Sequence, residues 1–101
     1  MPRNIALTDV DGAVEVNGHF LFLEWKSGEP REIPTGQRIY AQRLTKLSRK
    51  VTYVFICADC ETMETTHVAV MRKGILSEWV PCDLPGLKRR VKRWVSRVEG
   101  F

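Results

Sequence analysis

The chain has 101 residues, 44% of them hydrophobic and 28% charged, and its formal net charge is +4. A chain of this length supports one hydrophobic core, so we expect a single domain over residues 1–101. It has no apolar run long enough to span a membrane, no secretory signal pattern and no paired cysteine framework. We therefore expect a cytoplasmic protein without a membrane partner, and the positive charge favours a polyanion as partner.

A β-hairpin is predicted at the start of the chain. Residues 5–16 alternate loosely between apolar and polar, and residues 20–26 form a dense apolar run that ends on charge. Asn17-Gly18 lies between the two segments and is typical of a two-residue type I′ turn. We therefore expect two antiparallel strands whose pairing is fixed by this turn.

The hairpin brings charged residues together. With a two-residue turn, Asp11 lies opposite Glu24, and Asp9 lies opposite Lys26. Because side chains alternate along a strand, these four side chains leave the same face of the sheet. A one-residue change of turn type would shift the pairing, so Asp9 is an alternative to Asp11, which we prefer. Two carboxylates beside an ammonium predict a site for a divalent cation.

A loop, a helix and a buried strand are predicted next. Glycine and proline residues break regular structure over residues 27–34. Thr35 is predicted to cap a helix over residues 36–49, in which apolar residues recur at helical spacing. Residues 51–58 are mostly apolar at both odd and even positions, as in a strand that is covered on both faces. Strand, helix and strand in this order predict a right-handed βαβ crossover with two parallel strands.

The last third of the chain predicts a short strand and a basic helix. Residues 67–72 make the strand, which Lys73-Gly74 ends. Asp83 is predicted to cap the helix. Its apolar stripe consists of Leu84, Leu87, Val91, Trp94, Val95 and Val98. Basic residues fill much of the remaining helix surface.

The predicted cation site has the groups that phosphodiester hydrolysis needs. A divalent metal polarises phosphoryl oxygens and lowers the pKa of water, and a positive group stabilises the charge that builds up. Mg²⁺ and Mn²⁺ prefer hard oxygen ligands, which Asp11, Glu24 and the backbone carbonyl of Trp25 provide. Lys26 lies one pleat beyond Glu24 and can orient the attacking water. The structural alternative is a charged strand end in which Glu24 and Lys26 only form solvated ion pairs.

Residues 8–58 resemble the PD-(D/E)XK nuclease superfamily. The resemblance rests on Asp11, on Glu24-Trp25-Lys26 at the end of an apolar strand, and on Gln37 at the start of a basic helix. It is closest to the small VRR-NUC and resolvase-like members found in phages. It implies an α/β, restriction-endonuclease-like fold, a mixed β-sheet flanked by helices. No proline directly precedes Asp11, and the family's first core helix and strand are missing, so we expect a minimal version of the fold.

The resemblance implies a Mg²⁺- or Mn²⁺-dependent endonuclease or exonuclease that hydrolyses DNA phosphodiester bonds. It also implies a phage origin, and hence a location in the host cytoplasm. Carried over by position, Asp11 and Glu24 hold the metal, Lys26 assists the water, and Gln37 places water or phosphate. Because the first core helix is missing, we expect the uncovered sheet edge and hydrophobic surface to be buried in a homodimer.

Basic residues of both predicted helices are candidates for contact with the DNA backbone. They are Arg38, Arg43, Lys46 and Arg49 near the first helix and Lys88, Arg89, Lys92 and Arg93 in the last. Phosphate contacts carry no sequence information, and no base-reading element is identified. Two alternatives stay open. One is a non-catalytic nucleic-acid-binding module or accessory subunit derived from a nuclease fold, and the other is a small phage protein that inhibits a host factor.

Cysteines and histidines offer a weaker metal site. Cys57 and Cys60 form a C-x-x-C pair, and His67 and Cys82 follow. Structural zinc sites usually show two such pairs, and only one is present here, so the sequence favours free thiols over structural zinc. His19 and His67 each stand alone in strand sequence, so we expect them to have packing or surface roles.

Overall fold

One mixed β-sheet and two helices make up residues 10–28, 30 and 33–100, which the computed structural model describes. The strands are β1 (Gly12–Val16), β2 (His19–Ser27), β3 (Val51–Ala58), β4 (Thr65–Arg72), β5 (Ile75–Leu76) and β6 (Val80–Pro81). The helices are α1 (Thr35–Leu47) and α2 (Leu84–Glu99). The strand order is β1-β2-β3-β4-β5, and β6 also pairs with β4. The predicted α/β class with a mixed sheet is confirmed.

The hairpin of β1 and β2 has the predicted turn and register. The φ angles of Asn17 and Gly18 are 52° and 80°, and a type I′ turn requires positive values at both positions. The antiparallel register that follows from this turn is present along the whole of β1. One position beyond β1, the same register sets Asp11 opposite Glu24.

The predicted βαβ crossover is formed by β2, α1 and β3. The parallel register of the two strands runs from Phe20 and Val51 to Ser27 and Ala58. All eight residues of β3 are buried, because α1 packs on one face of this strand and α2 on the other. The central position predicted from the double-sided apolar pattern is therefore confirmed.

Each face of the sheet has its own hydrophobic core. On the face covered by α1, which we call the α1 face, Tyr53 packs with Ala41 of the helix. On the opposite α2 face, Val54 packs with Trp94 of α2. Adjacent residues of a strand point to opposite faces, so the two cores are separated by a single layer of backbone.

Several element ends differ from the sequence-based expectations. Thr35 is the first residue of α1 and not its N-cap, which is Pro34 and makes no side-chain hydrogen bond. Pro34 has the non-helical backbone of an N-cap, with a φ of −51° and a ψ of 137°, so the helix begins one residue earlier than predicted. The helix ends at Leu47, two residues earlier than predicted, and β4 begins at Thr65, two residues earlier than predicted. With two residues each, β5 and β6 are too short to give a periodic signal.

The last helix begins where the sequence predicts it. Asp83 caps α2, and its Oδ1 accepts a hydrogen bond from the Gly86 N–H at 2.8 Å. Leu87 and Trp94 of the apolar stripe are buried, whereas Leu84 in the first turn is 46% exposed. In the part of the chain that the structure describes, neither helix has the length and apolar character needed to cross a membrane.

Candidate active site

Asp11 lies against the backbone of β2. Its Oδ2 atom accepts a hydrogen bond from the Trp25 N–H at 2.7 Å. The N–H and C=O groups of one strand residue point to the same side, so the Trp25 carbonyl also points toward the β1 side. The exposed Asp11 carboxylate and this carbonyl therefore lie on the same side of β2, and both belong to the three oxygen ligands predicted from the sequence.

Glu24 is the buried carboxylate of the site, with 3% of its surface exposed. Its Oε1 atom accepts a hydrogen bond from the Tyr53 hydroxyl at 3.0 Å. Its Oε2 atom lies 3.1 Å from Lys26 Nζ, in the only ion pair found among the described residues. These two contacts offset part of the free-energy cost of burying a carboxylate.

Tyr53 belongs to the site, although the sequence analysis did not identify it. Its side chain is completely buried on the α1 face. Burial raises the pKa of the Tyr53 hydroxyl far above its ordinary value, and the hydrogen bond to Glu24 raises the pKa further. The negative charges of Glu24 and Asp11 act in the same direction. Of the two carboxylates, Glu24 contacts this hydroxyl directly, and Asp11 acts on it only through its charge.

Gln37 lies in the first turn of α1, at the same end of the α1 face. The helix runs back along the sheet from the end of β2 to the start of β3, so its N-terminus lies near Lys26. Ala41, one turn after Gln37, is completely buried against the sheet, which places Gln37 on the sheet-facing side. Pro34 provides no side-chain cap, so first-turn N–H groups have no acceptor from the N-cap side chain.

Buried polar atoms without hydrogen bonds mark this end of the α1 face. Among the described residues, they are Gln37 Oε1 and His67 Nδ1, whereas Glu24 Oε2 has the ion pair with Lys26. His67, for which the sequence suggested a packing or surface role, pairs with Cys57, which pairs with Lys26. Strand spacing puts the backbones of Lys26 and His67 roughly 10 Å apart. Buried polar atoms without a hydrogen bond are rare in folded proteins, and each one calls for an explanation such as a water, an ion or a catalytic role.

The donor set at this end fits a hard cation with few protein ligands. Among the residues that the structure describes, no group of three or more His, Cys, Asp or Glu side chains could hold a metal ion. Asp11 and Glu24 offer two carboxylates, and Trp25 offers a carbonyl oxygen. Mg²⁺ is often bound by one or two carboxylates together with water and substrate phosphate, so these oxygens fit Mg²⁺ or Mn²⁺. Asp9, the alternative ligand, lies outside the described residues.

The cysteines do not come together. Cys57 is buried in β3 with the parity of Tyr53, so it faces α1, whereas Cys82 packs against the core on the α2 face. Cys60 is exposed in the turn after β3. No disulfide bond involves the three cysteines, and the described residues do not bring Cys57, Cys60, Cys82 and His67 together as one group of metal ligands.

The predicted DNA-contacting residues fall on both sides of the sheet. Arg38 follows Gln37 and is exposed at the same end of α1. Arg43 is exposed near the middle of the helix, and Lys46 lies about 14 Å further along than Gln37. Arg49 is exposed just after the helix. The exposed residues Lys88, Arg89, Lys92 and Arg93 belong to α2, on the opposite face of the sheet.

Comparison of the chain with protein-family models, with curated proteins and with solved structures gives no match. Function is therefore inferred from the side chains and their arrangement.

Proposed function

We propose that the chain is a metal-dependent nuclease with a minimal restriction-endonuclease-like fold, and that it hydrolyses DNA phosphodiester bonds. It is supported by the strand register, which puts Asp11, Glu24 and Lys26 at the end of β2, and by the helix direction, which puts Gln37 at the same end of the α1 face. Gln37 Oε1, a buried oxygen there, has no hydrogen bond among the described residues, and the only contact of Glu24 Oε2 among them is the ion pair with Lys26. Carboxylates for a hard cation, an ammonium and a helix N-terminus suit a metal ion and a phosphate together.

The groups that would hold Mg²⁺ or Mn²⁺ are the two carboxylates and the Trp25 carbonyl. When bound, the ion polarises the scissile phosphate and lowers the pKa of water. Each carboxylate is oriented by a hydrogen bond from the sheet, Glu24 by Tyr53 at 3.0 Å and Asp11 by the Trp25 N–H at 2.7 Å. Ligands that are fixed by rigid strands meet the geometric demand of catalysis better than ligands on loops.

Lys26 orients the attacking water in the proposed reaction. Its side chain is 22% exposed, so solvent reaches the ammonium while it contacts Glu24. The water oxygen forms a bond to phosphorus, and the bond from phosphorus to one sugar oxygen breaks. The water proton passes to solvent, and the leaving oxygen takes a proton from solvent. The ammonium donates a hydrogen bond toward these oxygens and stabilises the negative charge that builds up on them.

Gln37 and the start of α1 position the phosphate group. The buried Gln37 Oε1 accepts a hydrogen bond from the water beside the phosphate. First-turn N–H groups that lack a side-chain cap, together with the positive end of the helix dipole, favour a phosphate oxygen nearby. Arg38 adds a positive charge at the same end.

Cleavage of plasmid and branched DNA in Mg²⁺ tests the proposal. Glu24→Gln removes the charge but keeps an acceptor for Tyr53, and Lys26→Gln removes the ammonium. We expect each change to lower kcat about 100-fold or more, and EDTA to abolish cleavage. Glu61→Gln, in the exposed turn after β3, is the matched control and should cleave as the wild type does. Wild-type activity in both site variants contradicts the mechanism.

One observation favours a different function, a non-catalytic nucleic-acid-binding module. Both Glu24 oxygens already have a contact, one from Tyr53 and one from Lys26, and the residue is buried, as in a purely structural carboxylate. Calorimetric titration with Mn²⁺ separates the two functions. Mn²⁺ binding that is lost in the Asp11→Asn variant supports the nuclease, whereas DNA affinity without Mn²⁺ uptake supports the module.

A further inference from the structure

The α2 face carries a recess lined by arginines that the proposed hydrolysis does not use. It is bounded by residues of β2, β3, β4 and α2, and its apolar lining includes Leu23, Val54 and Trp94. The basic residues that line it are Arg72, Arg90, Arg93 and Arg97. We call this feature the arginine recess.

Two elements bring these arginines together. On α2, Arg90, Arg93 and Arg97 follow each other at helical spacing and form one stripe beside the buried Trp94. Arg72 is the last residue of β4 and reaches the same recess from the sheet. The four arginines come together only because α2 packs against β4. Helical spacing explains why Arg90, Arg93 and Arg97 are close, but it does not explain Arg72.

The recess is positively charged without a matching negative charge. No Asp or Glu lines it, and the ion pair found among the described residues lies on the other face of the sheet. Burial lowers the pKa of the Arg72 guanidinium, and the positive charges of Arg97 and Arg90 lower the pKa further. Guanidinium groups that are held this close repel each other, so a bound anion stabilises the arrangement.

The recess is small and adjoins a longer basic cleft. Its volume is about 110 Å³, below the roughly 300–1,000 Å³ of sites that enclose drug-sized ligands. It therefore fits a single anionic group. Arg72, Trp94 and Arg97 also line an adjoining cleft of about 720 Å³, to which Arg49 and Lys50 add positive charge. A small anion pocket that continues into a basic cleft fits a chain of phosphates better than an isolated ion.

We propose that the arginine recess and the adjoining cleft bind the phosphodiester backbone of a nucleic-acid strand. One phosphate lies on Arg72, Arg90 and Arg97, and the following phosphates extend toward Arg49 and Lys50. Guanidinium groups bind phosphate through paired, charge-assisted hydrogen bonds, which suits this arrangement. The inference does not rest on the proposed hydrolysis, because the recess lies on the opposite face of the sheet. It shares no residue with Asp11, Glu24 and Lys26, which we call the acid cluster.

Fluorescence anisotropy of a short labelled single-stranded DNA, measured in EDTA so that no cleavage occurs, tests this inference. Arg72→Gln should weaken binding at least about tenfold, because charge-assisted hydrogen bonds to phosphate are lost. The variant should also reduce the dependence of log Kd on log salt by about one. Lys73→Gln is the matched control, since it removes the same charge from the next residue, which does not line the recess.

The control should bind within about twofold of the wild type, because an exposed charge outside the recess is largely screened. Unchanged affinity in Arg72→Gln, or an equal loss in Arg72→Gln and Lys73→Gln, overturns the proposal. Arg97→Lys and Arg97→Gln provide a second comparison on an exposed helix position, where folding is not at risk. Arg97→Lys keeps the charge but loses the paired hydrogen bonds, so its affinity should lie between wild type and Arg97→Gln. Equal affinity in all three contradicts the proposal.

Competition identifies the class of anion. Unlabelled DNA should displace the probe at a far lower phosphate concentration than inorganic phosphate does. Equal potency of inorganic phosphate overturns the strand proposal in favour of a single-anion site. Displacement by poly-glutamate as effective as displacement by DNA points to an acidic protein and also overturns it. A chain that binds DNA through Arg72 but cleaves none keeps this inference and loses the proposed nuclease function.

Discussion

Tyr53 shows how one buried hydroxyl organises the candidate site. It donates a hydrogen bond to Glu24 Oε1 at 3.0 Å from the middle of the central strand. Burial first, and then the nearby carboxylates, raise its pKa above the ordinary value of 10.0. The hydroxyl therefore stays a donor across the neutral range, and the Glu24 carboxylate keeps one orientation.

Replacing this hydroxyl should destabilise the fold. We expect Tyr53→Phe to lower the free energy of unfolding by about 1–3 kcal/mol at neutral pH, because Glu24 Oε1 stays buried without a donor. Urea denaturation followed by circular dichroism measures this. Tyr40→Phe is the matched control, since the Tyr40 hydroxyl has no hydrogen bond among the described residues, and its effect should stay near 0.5 kcal/mol or less.

The stability difference between wild type and Tyr53→Phe should shrink above about pH 10. In the unfolded wild type the tyrosine then loses its proton, whereas the folded state, with its raised pKa, keeps it. The unfolded state binds fewer protons, so wild-type stability falls with pH by up to about 1.4 kcal/mol per pH unit. The phenylalanine variant lacks this titration. A difference that stays constant from neutral to alkaline pH contradicts the assignment.

The sequence predicts only the local part of the candidate site. Asp11 and Glu24 are opposed because a two-residue turn fixes the register of one hairpin. Tyr53 and His67 depend on the pairing of β3 with β2 and β4. Those registers are set by packing between elements that are distant in the chain, and no local signal fixes them. The hairpin register was predictable from a local turn, so Asp11 and Glu24 were identified. The pairing of β3 with β2 was not predictable in this way, so Tyr53 was missed.

Thr45 joins two elements that are distant in the sequence. It is buried in α1, donates a hydrogen bond to the Ala41 carbonyl at 2.8 Å and accepts one from the Gly74 N–H at 2.9 Å. Gln42 Nε2 donates to the Gly74 carbonyl at 3.3 Å. Gly74 has a φ of 77° in the turn between β4 and β5, so its amide is directed by a tight turn. The end of α1 is therefore attached to the sheet edge by polar contacts.

Removing the Thr45 hydroxyl should weaken this attachment. Thr45→Val keeps the branched shape but leaves the Gly74 N–H without its acceptor, so we expect about 1–3 kcal/mol of lost stability. Thr45→Ser keeps the hydroxyl and loses one methyl group, so its cost should be about 1 kcal/mol. Denaturant unfolding compares the two variants. If the valine variant is as stable as the serine variant, the hydrogen bond has no energetic role.

At the level of elements, strong local signals predicted individual turns, strands and caps correctly, and weak signals did not. The turn at Asn17-Gly18, the double-sided strand β3 and the cap at Asp83 all appear where the sequence places them. The two-residue strands β5 and β6 were missed, because such short segments become strands only by pairing with β4. The N-cap of α1 is Pro34 and not Thr35, so the helix begins one residue earlier than predicted.

The whole molecule presents two chemically different faces. One face carries the acid cluster with its ammonium, and the other carries the arginine recess, while the formal net charge is +4. The edge near β5 adds exposed apolar surface. Leu47 and Ile75 are 79% and 74% exposed. They follow Lys46 and Gly74 in the sequence, and the Lys46 side chain packs against Gly74 in the turn between β4 and β5. Apolar surface beside an edge strand favours pairing with another chain.

We therefore predict a homodimer that uses the β5 edge. Light scattering should give a dimer mass for the wild type, and Ile75→Lys should shift the mass toward the monomer, because a charge on an edge strand opposes pairing. Met63→Lys is the control, since Met63 is similarly exposed, at 71%, but lies in the turn after β3. A monomer at every concentration of the wild type would rule out the dimer.

Because β3 is the central strand, its successive residues serve different surfaces. Tyr53 contacts the acid cluster on one side, and Val54 lines the arginine recess on the other. In a collection of random substitutions, simultaneous loss of the proposed cleavage and of the proposed strand binding would therefore indicate damage to β3. Loss of one activity alone would indicate a side chain of that site. Residues outside β3 can change one surface without affecting the other. Within β3, a substitution that shifts the backbone moves the residues on both surfaces.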